Sequence, residues 1–76
     1  MNRYVIVKMG DVEKSVEVDD SGNIRIWDGL QWSEVYDPFT VLDDDVREEL
    51  IRFIQDADDG DTIEVRDDGV IRYKYP

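Results

Sequence analysis

The sequence predicts a small α+β domain, an antiparallel sheet with one amphipathic helix packed across a face, in the order ββββαββ. Three observations lead there. Apolar residues recur every second position through the first half and again near the end. The period lengthens to about 3.6 between Asp43 and about Asp58, and Gly with Asp or Asn marks each reversal. With 76 residues the chain reads as a single domain, 1–76. A chain of this mass buries roughly 60–65% of its unfolded surface, enough for one thin core.

In the first strand Val5, Val7 and Met9 share one face and Tyr4, Ile6 and Lys8 the other, and alternation alone leaves the inward side open. Gly10-Asp11 turns the chain into a second strand, where Val12, Val16 and Val18 face one way and Glu13, Ser15 and Glu17 the other. Asp19-Asp20-Ser21-Gly22-Asn23 collects residues that tolerate positive φ or bond their own backbone, so the chain reverses again into Ile24 to Trp27. Asp28-Gly29 signals a further bend. The run from Ile24 to Val35 then reads as a hairpin with Trp27 and Trp32 on its two arms, and Pro38 ends it.

Val46, Leu50, Phe53, Ile54 and Ala57 fall on one helical stripe. Thr40 with Asp43, or Asp45 with Glu48, has the spacing of a capping box. Acidic residues in the first turn complement the helix dipole, and Gly60 is placed to stop the helix. Thr62 to Arg66 alternates again, Asp67-Asp68-Gly69 supplies a turn, and Val70 to Tyr75 forms the last strand.

The residue inventory narrows the function. The chain has no histidine and no cysteine, which removes disulfides, thiolate metal sites and the commonest general bases and nucleophiles. Ser15, Ser21 and Ser33 lie in no nucleophile-elbow pattern, and the five glycines stand singly at turns, where a phosphate loop would cluster them. No enzyme and no cofactor is expected. No apolar run is long enough to span a bilayer, and Met1 to Met9 alternates where a signal peptide would be continuously apolar, so the chain is expected to be soluble and cytoplasmic.

Two Asp-rich loops are candidates for Ca²⁺. Setting Gly22 at the sixth position of an EF-hand loop puts Glu17, Asp19, Ser21, Asn23 and Asp28 at ligand positions, but the first and last ligands are wrong and the flanks read as strands. Asp56 to Asp61 clusters four carboxylates and misses the spacing by one residue. Solvated turn carboxylates explain both, and no metal site is assigned. The aromatic residues Tyr4, Trp27, Trp32, Tyr36, Tyr73 and Tyr75 lack the basic groove of a stacking nucleic-acid module. Core packing accounts for most of them. Trp27 and Trp32 are open between core and an interface anchor.

Charge is the compositional extreme. Twenty carboxylates against nine basic residues leave −11, which repels nucleic acid and anionic membranes and attracts basic surfaces. Between Asp37 and Asp61 ten carboxylates face only Arg47 and Arg52, so ten minus two, or −8, sits in that stretch. Asp43, Asp44, Asp45, Glu48, Glu49 and Asp56, with Asp58, Asp59 and Asp61 beyond them, lie off the apolar stripe and predict a negative helix face. Solubility is one use of such a face. A docking site for a basic protein surface is the other, with Trp27 and Trp32 as added anchors.

In size, acidity and absence of catalytic residues the chain resembles the small phage-encoded proteins that mimic DNA and block nucleic-acid-binding enzymes, anti-CRISPR proteins among them. The resemblance covers Asp37 to Asp61. It implies that those carboxylates stand in for backbone phosphates before a Lys/Arg-lined site on a host protein such as a CRISPR effector or another nuclease. The alternative from another class is a structural or assembly domain, a homo-oligomer or particle component, in which the acid serves solubility only.

Overall fold

The computed structural model of the chain describes residues 1–27, 29–33 and 42–73. It contains β1 (Arg3–Met9), β2 (Val12–Val18), β3 (Ile24–Trp27), β4 (Trp32–Ser33), α1 (Asp44–Asp56), β5 (Thr62–Arg66) and β6 (Gly69–Tyr73). The α+β class and the element order are those the sequence predicts. The expected extensions through Glu34 and Val35, and through Lys74 and Tyr75, lie outside the described residues, as do Asp28, Thr40, Tyr36, Asp37 and Pro38.

The six strands form one sheet in the order β4-β3-β2-β1-β5-β6. Four of its pairings are antiparallel, but β1 and β5 run parallel, from Ile6↔Thr62 to Met9↔Val65. A parallel neighbour needs a crossover to carry the chain back to its starting end, and α1 is long enough to provide it. Pairing across that crossover also makes β1 a central strand.

The register settles the inward face of β1. Val5 and Val7 are buried, joined from the same side by Val16, Val18, Ile24, Ile26 and Ile63, and Leu50, Ile54 and Ala57 of the helix region close over them. Val12, expected on that face, is 43% exposed because it lies beside the Gly10-Asp11 turn at the sheet's end.

Both helix ends differ from expectation. Asp43 is the N-cap, with its carbonyl accepting the Arg47 N–H at 2.9 Å, yet its carboxylate makes no capping bond. Asp45 lies inside the helix, so it cannot begin a capping box. At the other end no basic residue sits in the last turn, and Ala57 turns extended three residues before Gly60. Two arginines from the sheet do the capping. Arg3 donates to the carbonyls of Ala57 and Gln55, each at 3.0 Å, and Arg72 donates to that of Asp56 at 2.9 Å. These carbonyls form the negative end of the helix dipole, so two guanidiniums replace the expected glycine cap. Gly60, with φ at 87°, instead bends the next loop so that its N–H reaches the Tyr4 carbonyl at 2.8 Å.

Candidate functional site

The helix carries its acid outward. Asp43, Asp44, Asp45, Glu48 and Asp56 are exposed and Glu49 is half-buried. Asp44 accepts from Arg47 one turn away at 2.6 Å. Among the described residues no cation lies within ion-pair distance of Asp43, Asp45, Glu48, Glu49 or Asp56. Five of the six arginines are engaged, Arg3 and Arg72 at the helix end, Arg25 on Glu17, Arg66 on Glu64 and Arg47 on Asp44, while the exposed Arg52 of α1 joins no ion pair among the described residues.

The carboxylates after the helix have another use. Asp61 is fully buried, accepting the Asp58 N–H at 2.9 Å and facing the Arg72 guanidinium at 3.6 Å. Asp59 accepts the Tyr4 N–H at 2.8 Å. Asp59 and Asp61 therefore tie the loop to β1 and β6, and Asp61 presents nothing to a partner. Asp58 and Asp59 remain exposed in the loop that follows the helix.

The densest acidic surface lies at the opposite end of the helix. Met9 pairs with Val65, which sets the Gly10-Asp11 turn beside the Asp67-Asp68 turn and both beside the start of α1. Asp11, Asp43, Asp44, Asp45, Asp67 and Asp68 are all exposed there. A cavity of about 350 Å³ opens between them, walled by Met9, Leu42, Val46 and Val65 and edged by Gly10, Asp43, Arg66 and Asp67. Sequence reasoning missed Asp11, Asp67 and Asp68. Each belongs to a turn remote in sequence from the helix, and the parallel register is what gathers them.

Trp27 and Trp32 lie on the other side of the sheet. They face one another across β3 and β4 with ring centroids 5.4 Å apart, and the Tyr4 ring is 5.8 Å from Trp32. Tyr4 stands three strands away, about 14 Å at ordinary strand spacing, so the rings lean together over β2 and β3. Beneath them sits Glu17, on the side of β2 opposite its valines and 5% exposed. It accepts from the Tyr4 hydroxyl at 3.0 Å and from the Arg25 guanidinium. Burial opposes its ionisation, but the Tyr4, Arg25 and Asn2 side chains outweigh that and hold its carboxyl below the usual range. Trp27 is 38% exposed, so this pair belongs partly to a small second core and partly to the surface, on the face away from the acidic helix.

Among the described residues of the two Asp-rich loops, the carboxylates bond the fold itself. The Asp19 carboxylate accepts the backbone N–H groups of Ser21 and Asn23 at 2.8 and 2.9 Å, while Glu17 points to Arg25 from within β2. Among the described residues no group of three or more acidic side chains is arranged to hold a metal ion, and no helix is long and apolar enough to cross a membrane.

No protein-family model, curated protein or solved structure matches the chain. The chemistry of its surfaces is therefore the guide to function.

Proposed function

We propose that this chain is a non-enzymatic binding module that docks its acidic surface on a basic protein surface. The partner surface would be a nucleic-acid site, as in a nuclease or CRISPR effector, with the module taking the place of DNA. The observation that carries this reading is the unpaired state, among the described residues, of Asp43, Asp45, Glu48, Glu49 and Asp56, although Arg47 and Arg52 lie on the same helix and Arg3 and Arg72 reach its end. Acidity serving the fold alone would pair these carboxylates with cations of the same chain. Carboxylates left free instead keep their attraction for Lys and Arg of a partner.

The test is a competition between this protein and duplex DNA for nucleases, CRISPR effectors and repressors at several salt concentrations. Exposed charges are screened as the Debye length falls from about 30 Å at 0.01 M to about 8 Å at 0.15 M. Affinity should fall steeply over that range. Binding indifferent to salt, or unaffected by Asp45→Asn with Glu48→Gln, would reject the reading.

The assembly reading draws on one observation. The sheet face bearing Tyr4 and Trp27 carries three basic residues, Lys8, Arg25 and Arg66, against Glu13, Glu17 and Glu64, and Leu30 beside it is 89% exposed. A near-neutral aromatic face is where two copies of so acidic a chain would meet. Light scattering that reports a monomer at high concentration counts against it.

A further inference from the structure

We propose that the cavity between β1, β5 and the start of α1 receives a basic side chain of the partner, arginine being the best fit. This rests on the docking reading above and locates its anchor point.

The walls come first. Met9, Leu42, Val46 and Val65 are each partly buried, packed against the core on one side and open to the cavity on the other. About 350 Å³ is near the small end of ligand pockets, room for a long side chain rather than a structural element. Apolar walls suit a methylene stem, and they disfavour a strongly hydrated anion.

The rim sets the sign. Asp43 is the N-cap, yet its carboxylate makes no bond to the first turn of the helix, so it is not used for capping. Asp67, in the β5–β6 turn, lines the same cavity, and among the described residues neither has an ion-pair partner. Arg66, the cation among the described rim residues, is turned back on Glu64, with two N–H donors at 3.0 and 3.2 Å. The helix dipole would favour an anion here, but Asp44 and Asp45 already occupy the first turn and reverse its sign. An acidic rim over an apolar floor matches a side chain with a hydrocarbon stem and a cationic head. Guanidinium is more weakly hydrated than ammonium and binds carboxylates through a planar fork, so arginine is favoured over lysine.

The test is an NMR titration of the isotope-labelled protein with an N-acetylated, amidated hexa-arginine peptide at low salt. The methyl signals of Met9, Leu42, Val46 and Val65 should move together with the amides of residues 43–48. Val46→Phe narrows the cavity and keeps every charge; it should weaken binding about tenfold, the equivalent of roughly two methylenes left unburied. Should Val46→Phe fail to fold, Asp43→Asn with Asp67→Asn removes the rim charges and leaves the walls intact, with a comparable loss expected.

Moving amides with stationary methyls would overturn the cavity proposal and leave the docking reading standing. Val46→Phe binding as tightly as the parent would do the same. No shift of any acidic-face signal would overturn both. Methyl shifts that depend on protein concentration without peptide would assign the cavity to a second copy and reject the basic side chain.

Discussion

Replacing Arg3 by Met should unfasten the end of the helix. The Met side chain keeps most of the apolar stem and removes two charge-assisted bonds, to the carbonyls of Ala57 and Gln55 at 3.0 Å each. Bonds to a charged group contribute about 1.5–3 kcal/mol when shielded. The bond to Gln55 is exposed, so the pair together with the dipole interaction is worth about 2–3 kcal/mol. A domain of 76 residues has about 4–11 kcal/mol in total. At about 4–8 °C per kcal/mol for a domain this small, the melting temperature should fall by about 10–20 °C. Thermal and urea unfolding followed by far-UV circular dichroism measures this, and Arg3→Lys, keeping charge without the fork, should lose about half as much. A melting temperature for Arg3→Met within about 3 °C of the parent would refute the idea that the sheet arginines hold the helix terminus.

Other outcomes follow from neighbouring features. Asp61→Ala leaves the Asp58 N–H and the Arg72 guanidinium without their carboxylate and should cost about 2–3 kcal/mol in urea unfolding, unlike the exposed Asp56→Ala, which should cost nothing measurable. Glu17 and Asp19 have carboxyls held below their unfolded values of 4.5 and 3.8, Asp19 chiefly by the Asn23 backbone N–H. Their contributions are complete above those values and disappear as pH falls through the lower folded values, so Glu17→Gln should flatten the acid limb of a stability-against-pH curve. Tyr4 is shifted upward, first by its bond to Glu17 and then by burial. Its contribution is present below pH 10.0 and disappears as pH rises through the higher folded value, so Tyr4→Phe should flatten the alkaline limb. Asp45→Asn with Glu48→Gln should raise the melting temperature, as should added salt on the parent chain, because like charges crowd the helix face. A lower melting temperature for that variant would mean those carboxylates have stabilising partners.

Much of the fold was legible because periodicity is local. The 3.6-residue stripe from Val46 to Ala57 marks the helix, and turn residues between alternating runs mark each hairpin. Pairing between distant segments is not encoded that way. Nothing near Ile6 announces that its partner is Thr62, and nothing near Ala57 announces that Arg3 will cap its carbonyl. The same limit governs the acidic surface. Counting carboxylates by position grouped Asp59 and Asp61 with Asp45 and Glu48, though the first two hold the loop together and the latter face solvent. It also omitted Asp11, Asp67 and Asp68, whose proximity to α1 depends on Met9 lying beside Val65. Alternation sets Glu17 opposite the valines of β2 without saying that Tyr4 and Arg25 bond it there.

The parallel junction between β1 and β5 has a consequence for how the molecule is made. Strands Ile6 and Thr62 occupy are neighbours, yet 62 minus 6, or 56, positions separate them along the chain. A ribosome delivering this protein releases the first four strands with one flank of β1 unpaired and their valines uncovered, and the open flank persists after the helix, until the last hairpin emerges. An exposed flank of that kind recruits other strands. Truncation ahead of Thr62 should therefore give aggregates rather than a smaller soluble protein.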